Sequence, residues 1–421
     1  MKKIRITSLL LAVILIASCM SMTSCFLLAP SGDNLTKDDV QQMIDSGMNG
    51  NITVEGGDNY NVTINSANQN NAVAGKALLS AVSIDCVFKT ASTSYYPGYG
   101  TAKEKTSSGS GVIYKLDKNV GDAYIITNYH VVYYNLANTS NRISDNISVY
   151  LYGQESAEYA IPAKYVGGSM NYDLAILKVE GSRILAESNA MAASFADSNN
   201  VSVLDQAIAV GNPEDLGISA TLGYINVDSE YITMEGADGS TAIQLRVMRM
   251  DTAVNSGNSG GGLFDNEGNL IGIVNAKLTS SENMSYALPS NFVKYVAENI
   301  IHYCDGAALE RVQRCYLGIT VGAKSLYTVY DIESGKVLKR ETISVSSIED
   351  GSLAKGVIEV GDVINSITVD GVKYDVTRMF VITDAMINAR VGSTVTINVT
   401  RDNKTLDLNI DILQKSLVEI A

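Results

Sequence analysis

Residues 255–263 read Asn-Ser-Gly-Asn-Ser-Gly-Gly-Gly-Leu. Ser259 sits among small residues, the setting a nucleophile needs. Small neighbours let the backbone turn sharply and bring fixed N–H groups up to a carbonyl that develops negative charge. A base and an acid stand upstream, in the order His130, Asp173, Ser259. The chemistry these three residue types can do is acyl transfer. The serine attacks the carbonyl carbon, and neutral imidazole takes its proton and returns it to the leaving amine. The carboxylate fixes the imidazole tautomer and stabilises the imidazolium. The N–H groups of Gly257 and Ser259 are the expected oxyanion hole, with Asn258 shaping the turn between them.

Each residue has a plainer reading. Ser259 alone is a turn serine, His130 a satisfied core histidine, Asp173 a strand-edge carboxylate. What argues otherwise is their combination, each beside an apolar strand-like run. The order His, Asp, Ser is that of two-barrel serine proteases, not of subtilisins or α/β-hydrolases. His302 is the only other histidine and is read as structural, on a helix beside Tyr303 and Cys304.

The elements that must position these groups are short strands. Val112-Ile113-Tyr114, Tyr124-Ile125-Ile126-Thr127, Ile147-Ser148-Val149-Tyr150, Leu174-Ala175-Ile176-Leu177 and Leu270-Ile271-Gly272-Ile273-Val274 alternate with Gly, Asn and Asp turns. That spacing predicts a mainly β barrel or sandwich from about residue 76. A helix over 290–302, with Ser290 as N-cap, closes this domain at 306. Residues 307–421 read as a smaller α+β domain, with strands at 316–320, 357–359, 363–369 and 394–400 and a helix near 377–389.

The N-terminus reads as a targeting segment. Lys2, Lys3 and Arg5 precede an apolar run, and Leu15-Ile16-Ala17-Ser18-Cys19 resembles a bacterial lipobox. Residues 1–19 are therefore expected to be a lipoprotein signal peptide, with Cys19 lipidated. Cys25 is a second candidate, and simple cleavage without a lipid is the alternative. Two acyl chains would suffice for stable anchoring. Residues 20–75 are rich in Asn, Ser and Gly and read as a tether, with strand character at 51–54 and 61–64; a small β-hairpin unit is the alternative. The net charge of −14, without a basic stripe, argues against nucleic acid as a partner. Cys86 reads as a small core residue, and pairing of Cys304 with Cys315 stays open. No Cys or His cluster has metal-ligand spacing, so no metal or cofactor is expected.

The motifs resemble the HtrA/Deg family of serine proteases. Thr127-Asn128-Tyr129-His130-Val131-Val132, Asp173-Leu174-Ala175-Ile176-Leu177-Lys178 and Asn255-Ser256-Gly257-Asn258-Ser259-Gly260-Gly261 match its three catalytic motifs. Ala209-Val210-Gly211-Asn212-Pro213, Ser285-Tyr286-Ala287-Leu288-Pro289 and Tyr316-Leu317-Gly318-Ile319 match three more. Gly262 stands where the family pattern has proline, and Glu214-Asp215 where it has an aromatic residue and glycine. The resemblance implies a trypsin-like double six-stranded β-barrel over 76–306 and a PDZ domain over 307–421. Tyr316, Leu317, Gly318 and Ile319 would then hold a peptide C-terminus through backbone N–H groups, with β-augmentation on the next strand. Ala253 takes the place of the S1 aspartate of trypsin-like enzymes. With Ile273 and Val274 it implies a small apolar pocket and cleavage after Val, Ala, Leu or Ile.

The resemblance further implies a homotrimer, with sensor and activation loops at 226–245 and 274–284. It implies an extracytoplasmic quality-control endopeptidase acting on unfolded polypeptides at the membrane surface. A non-catalytic chaperone and a processing protease with one substrate are the alternatives.

Overall fold

The computed structural model describes residues 52–55, 61–64, 66–90, 103–277 and 284–421. The expected lipidation sites Cys19 and Cys25 lie outside them, as does most of the expected activation loop. The strands expected at 51–54 and 61–64 are β1 (Ile52–Glu55) and β2 (Asn61–Ile64), paired antiparallel. Residues 70–421 form one compact unit. A helix the sequence did not announce, α1 (Ser66–Ser80), leads into it. Its polar, Asn-rich composition gives little amphipathic signal, yet Val73 and Ala77 are buried. Its Ala and Leu favour helix, and packing of these buried residues fixes it.

Two closed barrels of six strands each follow. The first is built from β3 (Ala81–Lys89), β4 (Glu104–Asp117), β5 (Asp122–Thr127), β6 (Asn146–Leu151), β7 (Ile161–Ser169) and β8 (Leu174–Val179). A one-turn helix, α2 (Tyr129–Val132), follows β5, and α3 (Arg183–Glu187) follows β8. The second barrel is built from β9 (Gln206–Gly211), β10 (Ser219–Glu235), β11 (Ala242–Met250), β12 (Gly262–Phe264), β13 (Leu270–Lys277) and β14 (Ser285–Pro289). Closure leaves neither sheet with an edge to protect. Ile84, Ile113, Ile125 and Leu177 fill the first barrel, and Ile225, Met248, Leu263 and Val274 the second. Cys86 is a buried free thiol in the first core, as its apolar run suggested.

Helix α4 (Ser290–Cys304) closes the second barrel. Its N-cap is Pro289; Ser290 is the first helical residue, and its hydroxyl donates to Ala196 O at 2.8 Å. Phe292, Val293, Val296 and Ile300 of α4 bury against residues of both barrels.

The remaining chain makes a further, open sheet, with Ile319–Asp331 at one edge and Lys404–Asp411 at the other. Its strands are β16 (Ile319–Asp331), β17 (Lys336–Ile348), β18 (Val363–Val369), β20 (Thr394–Arg401) and β21 (Lys404–Asp411), with β19 (Val372–Asp375) beside β18. Helix α5 (Phe380–Asn388) packs over its core of Ile343, Ile364, Ile367, Ile397 and Val399. A separate ribbon pairs β15 (Val312–Cys315) with β22 (Leu417–Ile420).

The strands expected at 363–369 and 394–400 and the helix near 377–389 are present. Residues 357–359 carry only an isolated bridge, Lys355 to Ile358. The strand expected at 316–320 is instead a break, with residues 316–318 forming the loop between β15 and β16. Among the described residues Cys304 and Cys315 are both free, and burial pushes their thiols up to about 12 and about 11.

Candidate active site

Helix α2 carries the candidate base. Val131 and Val132 are buried in the first barrel and anchor the turn, leaving His130 on its open side with its side chain 35% exposed. Asn128, just before the helix, is buried and donates from Nδ2 to Asp173 O at 2.8 Å. Asp173 itself ends the tight β7–β8 turn with φ +48°. A left-handed conformation costs a non-glycine residue about 1–2 kcal/mol, least for Asp and Asn. The turn is fixed from several sides. Tyr172 N–H donates to Ser169 Oγ at 3.2 Å, and Ser169 Oγ donates to Ala421 O at 2.6 Å. Asn171 N–H also donates to Ala421 O, at 2.8 Å, and Arg314 Nη1 to the Tyr172 hydroxyl at 3.0 Å. The β15–β22 ribbon thus braces the turn that presents the carboxylate.

The Asp173 side chain is fully engaged. Oδ1 accepts from the His130 backbone N–H at 3.0 Å, and Oδ2 pairs with His130 Nδ1 at 2.7 Å. Oδ2 also accepts from Asn275 Nδ2 at 2.6 Å. Burial by itself lowers the imidazole pKa, but the charge of Asp173 and the hydrogen bond to it outweigh burial and leave it above its ordinary value. Such a pair holds one tautomer, with the proton on Nδ1 and Nε2 left as the acceptor.

Ser259 lies in the loop between β11 and β12. Gly257 (φ +94°) and Gly260 (φ +84°) give this loop its shape. A Cβ at Gly257 would stand 2.2 Å from Asn212 O, and one at Gly260 2.2 Å from Ser110 O. Ser110, on β4, ties the loop to the first barrel: its N–H donates to Ser259 O at 2.9 Å and its hydroxyl to Gly257 O at 2.6 Å. The Ser256 carbonyl is held by Glu214 N–H at 2.7 Å, which turns the N–H of the same trans peptide, that of Gly257, the opposite way. Among the described residues, the N–H groups of Gly257 and Ser259 donate to no acceptor. Two unpaired donors flanking a serine can receive an oxyanion. The Ser259 hydroxyl donates to Asn275 O at 3.2 Å.

The sequence of this site is matched in known proteins. The family model of a trypsin-like peptidase domain matches residues 109–273. The Serine protease Do-like HtrA of Lactococcus lactis subsp. cremoris (strain MG1363) is 30% identical over 73% of this chain and 71% of its own length.

The chain belongs to the HtrA family of serine proteases.

It is a serine endopeptidase with a trypsin-like protease fold. The Periplasmic serine endoprotease DegP of Escherichia coli (strain K12) is 30% identical over 76% of this chain; that match spans 60% of DegP. Among solved structures, the HtrA-type protease AlgW with tripeptide is 26% identical with a TM-score of 0.51, covering 82% of this chain and 96% of that one.

The structure brings His130 and Asp173 together and joins Ser259 to them through Asn275. The specificity residues fall differently. Ile273 and Val274 are both fully buried, in different clusters on opposite faces of β13, so a single pocket can border only one of the two side chains. Ala253 is exposed, and its carbonyl accepts from Thr221 Oγ1 at 2.8 Å. His302 is exposed on α4 and packs edge-on against Tyr303. Among the described residues no group of three His, Cys, Asp or Glu is placed to hold a metal.

Asn275 and Ser110 escaped the sequence reading of this HtrA chain. The signal for Asn275 was a polar side chain in the otherwise apolar run 270–274, extended by one residue. For Ser110 it was the Gly-Ser-Gly at 109–111 opening a strand.

A second concavity of about 240 Å³ lies between β16 and α5. Leu317, Gly318, Ile319, Val321, Ile382 and Met386 border it, with Arg314 at one end and Tyr231 of β10 reaching in from the second barrel. Gly318 has φ +74°, and among the described residues the N–H groups of Leu317 and Gly318 have no acceptor. The Tyr316 N–H is already taken, by Ser416 O at 2.8 Å.

Proposed function

We propose that Ser259 is the nucleophile, His130 the general base and acid, and Asp173 the group that orients and charges the imidazole. To react, the Ser259 hydroxyl must leave Asn275 O and hydrogen-bond to His130 Nε2. The imidazole then takes the hydroxyl proton as the oxygen attacks the scissile carbonyl. The N–H groups of Gly257 and Ser259 receive the oxyanion; losing one such donor typically costs about 3–4 kcal/mol of barrier. His130 passes its proton to the leaving amine, and water repeats the cycle on the acyl-enzyme. The observation that carries this reading is the 2.7 Å contact between His130 Nδ1 and Asp173 Oδ2.

The substrates are unfolded or misfolded polypeptides outside the cytoplasm. Ala253 at the pocket position leaves no acid to pair with Lys or Arg, which favours cleavage after Val, Ala, Leu or Ile. Residues 307–421 act as a PDZ domain that takes a peptide C-terminus on the free N–H groups of Leu317 and Gly318. Capture there raises the effective concentration of the chain at Ser259. Cys19 carries the lipid anchor, residues 20–75 are the tether, and the enzyme works as a homotrimer in protein quality control.

A fluorophosphonate probe tests the assignment. Intact mass should show one adduct, mapped to Ser259 and abolished by His130→Ala. An adduct on another serine would overturn it.

A further inference from the structure

Strand β16 extends well beyond the groove that it borders with α5. It runs 13 residues. Among the described residues it is the edge of its sheet, hydrogen-bonded only to β17. Ile319 and Val321 border the groove, and Ala323 continues their face opposite the fully buried Ile343. One extra residue then enters β16. Ala323 pairs with Ile343 but Ser325 with Thr342, leaving Lys324 as a bulge. A one-residue bulge exchanges the faces of everything beyond it. Leu326, Thr328 and Tyr330, opposite Glu341, Lys339 and Val337, therefore carry on the groove face. Leu326, Tyr330 and Val337 are 74%, 64% and 66% exposed. An edge strand normally guards itself with charge. From 319 to 330 Lys324 is the only charged residue, and it sits at the bulge.

We infer that β16 is one continuous polypeptide-binding edge, and that its distal half selects chains with apolar or aromatic residues well upstream of their C-terminus. This rests on the reading of the groove as a C-terminus site. A chain whose carboxylate meets the N–H groups of Leu317 and Gly318 must run antiparallel to β16. At about 3.4 Å per residue, its positions roughly 8–12 from the end lie beside Leu326 and Tyr330. Backbone pairing supplies attachment without sequence demand, and the exposed side chains supply the apolar preference. The occupant is an unfolded polypeptide: among the described residues the N–H groups of Leu317 and Gly318 have no acceptor and can take a free carboxylate, and the exposed apolar edge runs on from them.

The test uses the full-length chain with Ser259→Ala, so that peptides are not cut. Two peptides share their last five residues, Val-Tyr-Val-Tyr-Val; the longer extends to about 12 residues with alternating Leu and Ser. The longer peptide should bind at least about fivefold more tightly. Leu326→Asp with Tyr330→Asp should remove that gain while leaving the short peptide's affinity unchanged, which also shows that the groove is intact. Equal affinities for the two peptides, or a gain that survives the double substitution, overturns the inference. Failure of both peptides to bind removes the groove reading as well. A drop in oligomer size on the double substitution, seen by sedimentation, would mean that a second copy covers the ribbon.

Discussion

Asn275 Nδ2 lies 2.6 Å from Asp173 Oδ2, although the two residues belong to different barrels and stand 102 positions apart. The same Asn275 accepts the Ser259 hydroxyl on its backbone oxygen at 3.2 Å. One residue of the second barrel therefore touches both ends of the proposed triad and fixes how the barrels meet across it.

Asn275→Leu removes the side-chain donor and keeps the backbone acceptor. A hydrogen bond to a buried charge is worth about 1.5–3 kcal/mol. The expected result is a fall in kcat of about 10- to 100-fold with KM nearly unchanged. Steady-state kinetics on a chromogenic peptide checks it, and a change in KM alone would deny Asn275 this role.

With His130 as the proposed base, its raised pKa should set the acid limb of activity. Catalysis needs the neutral imidazole, so kcat/KM should fall as pH drops through a value above the ordinary 6.5. Asp173→Asn removes both influences that raise the pKa and leaves burial, which lowers it. The limb should move to lower pH while kcat falls by about 10⁴-fold. Stability has the complementary sign. A raised folded-state pKa contributes stability below the unfolded value and loses it as pH rises through the folded value. The urea midpoint should therefore exceed that of Asp173→Asn by more at about pH 5.5 than at about pH 8.

Glu214 and Asp215 hold consecutive left-handed conformations, φ +55° and +58°, without being glycine. The backbone N–H of Glu214 holds the Ser256 carbonyl and so aims the Gly257 N–H. Glu214→Gly keeps that donor and relieves strain, so it should retain activity and raise stability by about 1 kcal/mol. Glu214→Pro lacks the donor and cannot adopt the conformation. It should lower kcat by about 10²–10³-fold, as loss of an oxyanion donor does. Denaturant titration and kinetics on the two variants separate the effects.

Arg246 of β11 and Asp384 of α5 form an ion pair at 2.7 Å, with side chains 6% and 5% exposed. The guanidinium also lies 3.3 Å from the centre of the Phe380 ring. Removing one partner strands the other charge. Arg246→Met should destabilise the chain by about 3–5 kcal/mol. Arg246→Met with Asp384→Leu should recover much of that loss, which a denaturation cycle would show.

The candidate site was legible because His130, Asp173 and Ser259 each lie in a short motif beside an apolar strand. Local sequence also announced the barrel strands, since their β-branched runs are bounded by turns. What it did not announce came from contacts between distant segments. Asn275 and Ser110 are defined by partners on the other barrel. Helix α1 is held by burial of Val73 and Ala77, with little amphipathic pattern to mark it. The β16–β17 hairpin was missed because the bulge at Lys324 breaks the two-residue period that marks a strand. Its turn, Ser334-Gly335, was the one local sign of it.

The central claim is that Ser259 cuts polypeptide chains. Casein digestion by the full-length chain beside its Ser259→Ala variant, with the new termini sequenced by mass spectrometry, tests it most directly. The expected result is cleavage by the parent alone, after Val, Ala, Leu or Ile. Equal cleavage by the Ser259→Ala variant would contradict it.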